Sequence, residues 1–271
     1  MRGGGEPAGR YEISGARTAS KAIVADSVSR PVLGLLCGPR RSGTGMGLGY
    51  LELGRRVVAV VPRGRPRMPN GIHVGLSIER GQRVVIGEGR MVTSDAIVVA
   101  GPTWEPRPDV RVSLDFAEPF VPDCASLIGK GEGLTPAGDD LVAGYLAGRV
   151  LFHGVSCEDV LPRRGRTTKL SETLLRHAAQ GEMPEPVHDL LVRGECRSLL
   201  AFGHSSGRWL MIGLCLGAAA SRECPLGTPE DLSLASADKL LGRCRLRLRR
   251  RVGQAPSGER ASDGWRTRVY A

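Results

Sequence analysis

The hydrophobic pattern of this chain changes once, near residue 120, and that change limits the fold more than any other feature. From about residue 30 to 100, short β-branched runs ("PVLGLLC", "RRVVAVVP", "GIHVGLSIE", "QRVVIGE", "DAIVVAG") alternate with Gly, Pro and Asn-Gly punctuation, the mark of strands joined by tight turns. Spacing this short leaves little room for crossover helices, so a mostly antiparallel sheet or small barrel is predicted. After residue 124 the β-branched runs nearly vanish. "DDLVAGYLAGRVLF", "RTTKLSETLLRHAAQ", "PEPVHDLLVRGECRSLLAF" and "GRWLMIGLCLGAAAS" carry helical spacing instead. The fold class that follows is α+β, a strand-rich, mostly antiparallel N-terminal half followed by a helical C-terminal half.

The same change sets the expected domains. Residues 1–14 are Gly-rich and apolar-poor, and should be disordered. Residues 15–120 form a β-rich domain, with "EPRPDVRVSLDFAEPFVPD" (105–123) as a proline-rich connection. Residues 124–221 form an α-helical domain, and 222–271 a basic, poorly ordered tail. Within that tail "EDLSLASADKLLG" has the pattern of one more helix, and "RCRLRLRRR" alternates like an edge strand. At 271 residues the chain is long enough for a substantial core. Aromatics are only 4% of it, so that core rests on Leu, Val, Ile and Ala.

The net charge of +10 suggests nucleic acid until its placement is considered. Residues 242–271 hold nine Arg against Glu259 and Asp263, which leaves a nearly neutral body. Aromatics are not interleaved with the basic residues and no recognition module is visible, which argues against a nucleic-acid partner. Seven scattered cysteines with no CxxC pair point to reduced thiols in the cytoplasm rather than a disulfide frame or zinc site. The first residues have no apolar stretch, so no signal peptide is expected. The apolar run Leu210–Ala220 is too short for a membrane span, which needs about 20 residues.

Three stretches of the helical half carry more than a helix start requires. In "SLIGKGEGLTPAGDDLVAGYLAG" (126–148), Thr135 is the predicted N-cap and Pro136 the first helical residue. Gly131 and Gly133 ahead of it let backbone N–H groups approach a ligand, and Leu134 lies between them and the cap. A helix N-terminus favours negative charge. Gly138 is costly inside a helix unless something packs close to its backbone. Asp139 and Asp140 follow. Acids in a first turn are ordinary partners of the helix dipole, yet the two could flank one site. One would bind ligand or Mg²⁺, and the other would tie down the loop.

The second stretch, "RGRTTKLSETLLRHAAQGE", offers Thr167 or Thr168 as a cap, with Ser171 one turn on and Arg163, Arg164 and Arg166 nearby. The third, "FGHSSGRWLMIG", opens a helix at Ser205 or Ser206 beside Gly207, with His204 as an acid–base candidate. No GxSxG elbow and no metal-ligand spacing occurs. If the three helix starts converge, they form an anion site.

The blocks "GKGEGLTPAGDDLVAG", "RTTKLSETLLRHAAQGEMPEPVHDLL" and "FGHSSGRWLMIG" resemble in order and spacing the signature of the AllH-like family, long known as a domain of unknown function. That family includes the small subunit of oxamate carbamoyltransferase. "MPNGIHV" (68–74) resembles a weaker fourth block, and the resemblance covers about residues 15–220. Departures from the family pattern are Glu132 for Pro, Ala137 for Ser, and Trp209 for the usual Asp. The resemblance implies a cytoplasmic transferase subunit working with two larger partner subunits in allantoin degradation, a branch of purine catabolism. The implied reaction is carbamoyl phosphate plus oxamate to oxalurate plus phosphate, both substrates being small anions.

On this reading Asp139, Asp140 and His204 are the catalytic candidates. Gly131, Gly133, Leu134, Thr135, Gly138, Thr167, Thr168, Ser171, Ser205, Ser206 and Gly207 are the substrate-binding ones. No cofactor is evident, although the paired acids are compatible with Mg²⁺. The alternative is a non-catalytic subunit that binds a small anion or serves assembly. Replacing both acids with Asn should leave the fold nearly unchanged, because first-turn acids contribute only about 0.3–1 kcal/mol to a helix.

Overall fold

A computed structural model describes residues 21–161, 165–220, 237–248 and 267–269. The first 20 residues, Arg163 and Arg164 lie outside the described residues, and with them the expected disorder of 1–14.

The N-terminal half is a mixed ten-stranded sheet. Its strands are β1 (Lys21–Val24), β2 (Ser27–Ser29), β3 (Arg41–Gly47), β4 (Tyr50–Leu53), β5 (Arg56–Val61), β6 (Gly71–His73), β7 (Arg83–Gly87), β8 (Arg90–Val92), β9 (Ala96–Val99) and β10 (Thr103–Trp104). They lie in the order β1-β9-β8-β7-β3-β4-β5-β6-β2-β10. Antiparallel pairing runs unbroken from β9 to β5, as tight turns between short strands dictate. Parallel pairs occur only at β1–β9, β5–β6 and β2–β10.

One stretch read as a strand is a helix. "PVLGLLC" lies in α1 (Arg30–Cys37), which buries Val32, Leu35 and Leu36 against one face of the sheet. Apolar side chains at i, i+3 and i+4, with a proline in the first turn, satisfy a helix as well as a strand, and the helix prevails.

The opposite face meets the helical half through a small joint, where Ala59, Val61 and Met68 pack with Leu174 and Phe202. Arg67 reinforces the joint with Glu185: its Nη2 lies 2.6 Å from Oε1, and its backbone N–H donates to Oε2 at 2.9 Å.

Downstream of a short helix α2 (Cys124–Leu127), the C-terminal half contains α3 (Ala137–His153), α4 (Lys169–Ala178), α5 (Glu185–His188), α6 (Arg197–Leu200), α7 (Ser206–Ala219) and α8 (Ala237–Leu241). The stretch read as one helix over "PEPVHDLLVRGECRSLLAF" is broken. A π-helical turn at Asp189–Arg193 ends at Gly194, whose φ of 74° stops the helix. The central pair is α3 and α7, and their backbones nearly touch. A Cβ at Gly148 would stand 2.7 Å from the Leu214 carbonyl oxygen, and one at Gly144, Gly213 or Gly217 would overlap a facing carbonyl outright. Glycines four apart on both helices thus permit an approach that no other residue allows, which explains residues otherwise unfavourable in helices.

Two further differences concern the ends of this half. The proline-rich connection contains β11 (Val112–Phe116), which pairs antiparallel with β12 (Cys244–Leu248), itself paired with β13 (Thr267–Val269). Residues 237–248, expected in a poorly ordered tail, are therefore part of the fold. Leu240, Cys244 and Leu246 join the core beneath α3 and α7. The Arg-Leu alternation over Cys244–Leu248 is a strand, with Leu246 inward and Arg247 outward, but it is the central strand of this sheet and not an edge.

Candidate active site

The loop from Gly129 to Pro136 runs over the N-terminus of α3, and its three glycines, Gly129, Gly131 and Gly133, all have positive φ, two of them for different reasons. At Gly129 (φ 84°) any Cβ would collide with the Arg166 carbonyl oxygen. At Gly133 (φ 93°) space is open, so the backbone conformation alone favours glycine. Residues 130–134 are exposed, including Leu134 at 44%. The N–H groups of Gly131 to Thr135 have no hydrogen-bond partner among the described residues. Gly138 packs its α-carbon against the Leu127 carbonyl, the close approach that its place inside a helix suggested.

The helix begins one residue later than expected. Pro136 is the cap position and offers no side-chain bond. Thr135 instead turns its hydroxyl to Ser206, Oγ1 to Oγ 3.2 Å. This contact joins the N-terminus of α3 to that of α7. The start of α4 closes the third side. Thr168 caps it by accepting from the Ser171 N–H at 3.0 Å, and donates to the Leu134 carbonyl at 2.6 Å. Three helix starts thus meet around one exposed loop.

Asp139 and Asp140 lie beneath that loop, 1% and 6% exposed, far more buried than first-turn acids usually are. Their environments differ. Both oxygens of Asp139 are occupied: Oδ1 accepts from the Gly129 N–H at 2.7 Å and Oδ2 from the Thr167 hydroxyl. It is a tie between the glycine loop and the start of α4.

Asp140 has a fully buried oxygen, Oδ2, without a hydrogen-bond partner. Burial raises its pKa to about 7, the neighbouring Asp139 adds to the rise, and hydrogen bonds from Ser206 and Thr135 oppose it. A carboxyl that changes protonation near neutrality can take or give a proton.

The remaining candidates divide by position. Ser205 and Ser206 stand at the start of α7, half-buried, while His204 is exposed and makes no side-chain hydrogen bond among the described residues. Gly207 packs under the Leu199 carbonyl, and its N–H donates to Phe202, so it shapes the turn. Ser171 is buried in the first turn of α4, as its third residue. Trp209, at the position where the family pattern has Asp, is 3% exposed and belongs to the hydrophobic core of the helical half. Among the described residues no three His, Cys, Asp or Glu side chains gather as a metal-ligand set.

Sequence reading saw Gly129 only as one of the alternating glycines and did not count it among the site residues, although its N–H holds Asp139. Its positive φ could be suspected from the Gly-x-Gly-x-Gly spacing, but its hydrogen bond could not. It also gave no sign of a cavity of about 440 Å³ at the joint of the two halves, lined by Asp26, Arg65, Arg67, His73, Glu185 and Asp189 among others. Of these, His73, Glu185 and Asp189 belong to blocks that the sequence had marked, but none of them was a candidate site residue.

Residues 127–218 match the model of the AllH family, described as oxamate carbamoyltransferase subunit AllH. The family resemblance read from the three blocks is borne out over the segment that holds the glycine loop, the paired acids and the starts of α4 and α7. No solved structure matches the chain.

Proposed function

We propose that this chain is a subunit of an oxamate carbamoyltransferase-type enzyme, and that the cluster around Asp139 and Asp140 takes part in its site. The observation that carries this reading is the meeting of the α3, α4 and α7 starts over a buried carboxyl that titrates near pH 7. Helix N-termini and unpaired loop N–H groups favour small anions, and both carbamoyl phosphate and oxamate are small anions.

In the forward reaction the oxamate nitrogen bonds to the carbamoyl carbon, the carbon–oxygen bond to phosphate breaks, and the nitrogen loses one proton. Asp140 in its ionised form is the group here able to accept that proton. The loop N–H groups and the start of α7 would hold the phosphate and steady charge on the carbonyl oxygen. Asp139 positions the loop and touches no substrate. Thr135 and Ser206 orient the Asp140 carboxyl. Mg²⁺, if the reaction uses it, would share the anion's phosphate rather than be caged by protein ligands, since Asp139 has both oxygens engaged.

A subunit of such an enzyme works with partner chains in the cytoplasm, in the breakdown of allantoin. The exposed, apolar Leu134 at the centre of the loop supports a partner surface there. The test is phosphate release from carbamoyl phosphate and oxamate by the chain assembled with its partners. Asp140→Asn should lower the rate about 100-fold or more, the usual scale of a lost acid–base group.

A second reading, a non-catalytic anion-binding or assembly subunit, is favoured by the isolation of His204 from the buried acids. It predicts that Asp140→Asn leaves the assembled rate unchanged while weakening assembly or anion binding.

A further inference from the structure

A second cleft, of about 260 Å³, lies where α1, the start of β5 and α4 come together, and it shares no residue with the glycine loop. Drug-sized ligands occupy roughly 300–1,000 Å³, so this cleft suits a smaller molecule. Val32, Leu35 and Val58 form apolar wall, and Arg56 and Arg176 are its cationic lining; no acid lines it. Arg176 is shared with Glu172 at 2.6 Å, while Arg56 has no ion-pair partner among the described residues.

Asn70 also lines the cleft and is 1% exposed. Its Nδ2 donates to the Val57 carbonyl at 2.9 Å, which fixes the orientation of the amide. Its Oδ1 is fully buried and has no donor. An amide oxygen buried without a donor is unfavourable and uncommon. The other polar side chains that line the cleft are Arg56, Arg176, Thr173, His177 and Gln180, and none of them donates to this oxygen.

We propose that this cleft binds a small organic anion that carries an N–H or O–H group. The carboxylate would meet Arg56 and Arg176, and the N–H or O–H would donate to Asn70 Oδ1. The inference does not depend on the transferase reading, because the residues are separate.

Isothermal titration calorimetry of the full chain with succinamate, levulinate and succinamide tests both requirements. Levulinate replaces the NH₂ of succinamate with CH₃, and succinamide removes its charge. Succinamate should bind on the order of tenfold or more tightly than either, since a buried acceptor left without its donor penalises the analogue. Malonamate covers a shorter spacing between the two groups. The exposed pair Arg56→Gln with Arg176→Gln should weaken binding tenfold or more with the thermal midpoint unchanged. These variants carry the test because Asn70 also supports Val57, and replacing it risks the fold. Asp140→Asn should leave succinamate affinity unchanged; a loss there would place the anion at the glycine loop and overturn the proposal. Equal affinity for levulinate would mean that Oδ1 takes no donor from the ligand. That outcome, or no binding of either amide acid at millimolar concentration, would also overturn it.

Discussion

The backbone N–H of Gly129 donates to Asp139 Oδ1 at 2.7 Å, ten residues away along the chain and inside the first turn of α3. With Thr167 on the other oxygen, Asp139 ties the glycine loop to the start of α4, alongside the bond from Thr168 to the Leu134 carbonyl. The neighbouring acid is its opposite, with one oxygen unpartnered and a raised pKa. Adjacent positions on a helix point about 100° apart, which is how two consecutive aspartates come to have separate tasks.

Asp139→Asn should therefore destabilise the fold, contrary to the expectation from a first-turn acid. The amide keeps one acceptor oxygen but presents NH₂ to a donor, leaving a buried N–H or hydroxyl unsatisfied. Hydrogen bonds to charged groups contribute about 1.5–3 kcal/mol each, so a loss of about 2–4 kcal/mol in urea unfolding is expected. A loss under about 1 kcal/mol, the scale of the helix-dipole effect, would show the tie to be incidental.

Asp140 gives a pH dependence of the opposite kind to an ordinary salt-bridged acid. In the unfolded chain its carboxyl titrates near 3.9, and in the folded protein near 7. Between those values the folded state binds the extra proton. Stability is thus fully present below about pH 4, falls as pH rises towards about 7, and levels off above. The span is on the order of 2–4 kcal/mol. Asp140→Asn, which cannot ionise, should remove this contribution, so the variant gains on wild type between pH 5 and 8 in chemical denaturation. A difference between the two proteins that stays constant with pH would refute the assignment.

Much of this arrangement was legible in the sequence, and the misses have physical causes. The division into sheet and helices followed from periodicity, and the cap of α4 was narrowed to Thr167 or Thr168, of which the structure takes Thr168. The glycine loop stood out as a candidate because it supplied more than capping needs, and the structure brings it to the starts of α4 and α7. What was not legible depends on contacts far apart in sequence. That Thr135 faces Ser206 is set by the packing of α3 on α7, not by either local pattern. The burial of Asp139 and Asp140 has the same origin, since an exposed first turn would carry the same two letters. "PVLGLLC" is ambiguous at any short length, and only its place beside Leu51 and Ile86 settles it as a helix.

Gly213→Ala should be strongly unfavourable although alanine is the better helix former. In an exposed helix the exchange gains roughly 0.5–1 kcal/mol. Here the new methyl would overlap the Leu141 carbonyl on α3 and crowd the Tyr145 amide nitrogen at 2.7 Å. Both obstacles are backbone, which cannot rotate away. Forced overpacking typically costs about 1–3 kcal/mol, so the urea midpoint should fall despite the better propensity. An unchanged or higher midpoint would mean that the two helices separate easily.

The chain beyond residue 222 should be required for folding, although its composition reads as a poorly ordered tail. Removing it strips Leu240, Cys244 and Leu246 from the core, each worth about 1.5–3 kcal/mol if fully buried apolar side chains are the guide. It unpairs β11, which otherwise aligns with β12 from Val112↔Leu248 to Phe116↔Cys244. It also removes Arg243, which donates to the Ala117 carbonyl at 2.9 Å and whose guanidinium lies 5.0 Å from the Phe116 ring centre. The sum approaches the whole stability of a typical domain, about 5–15 kcal/mol. A chain ending at 221 should lose its near-ultraviolet circular dichroism and cooperative unfolding, whereas one ending at 248 keeps β12 and should retain both. If the chain ending at 221 melts at the midpoint of the full protein, β12 contributes nothing to the fold, and the tail is the appendage that its charge suggested.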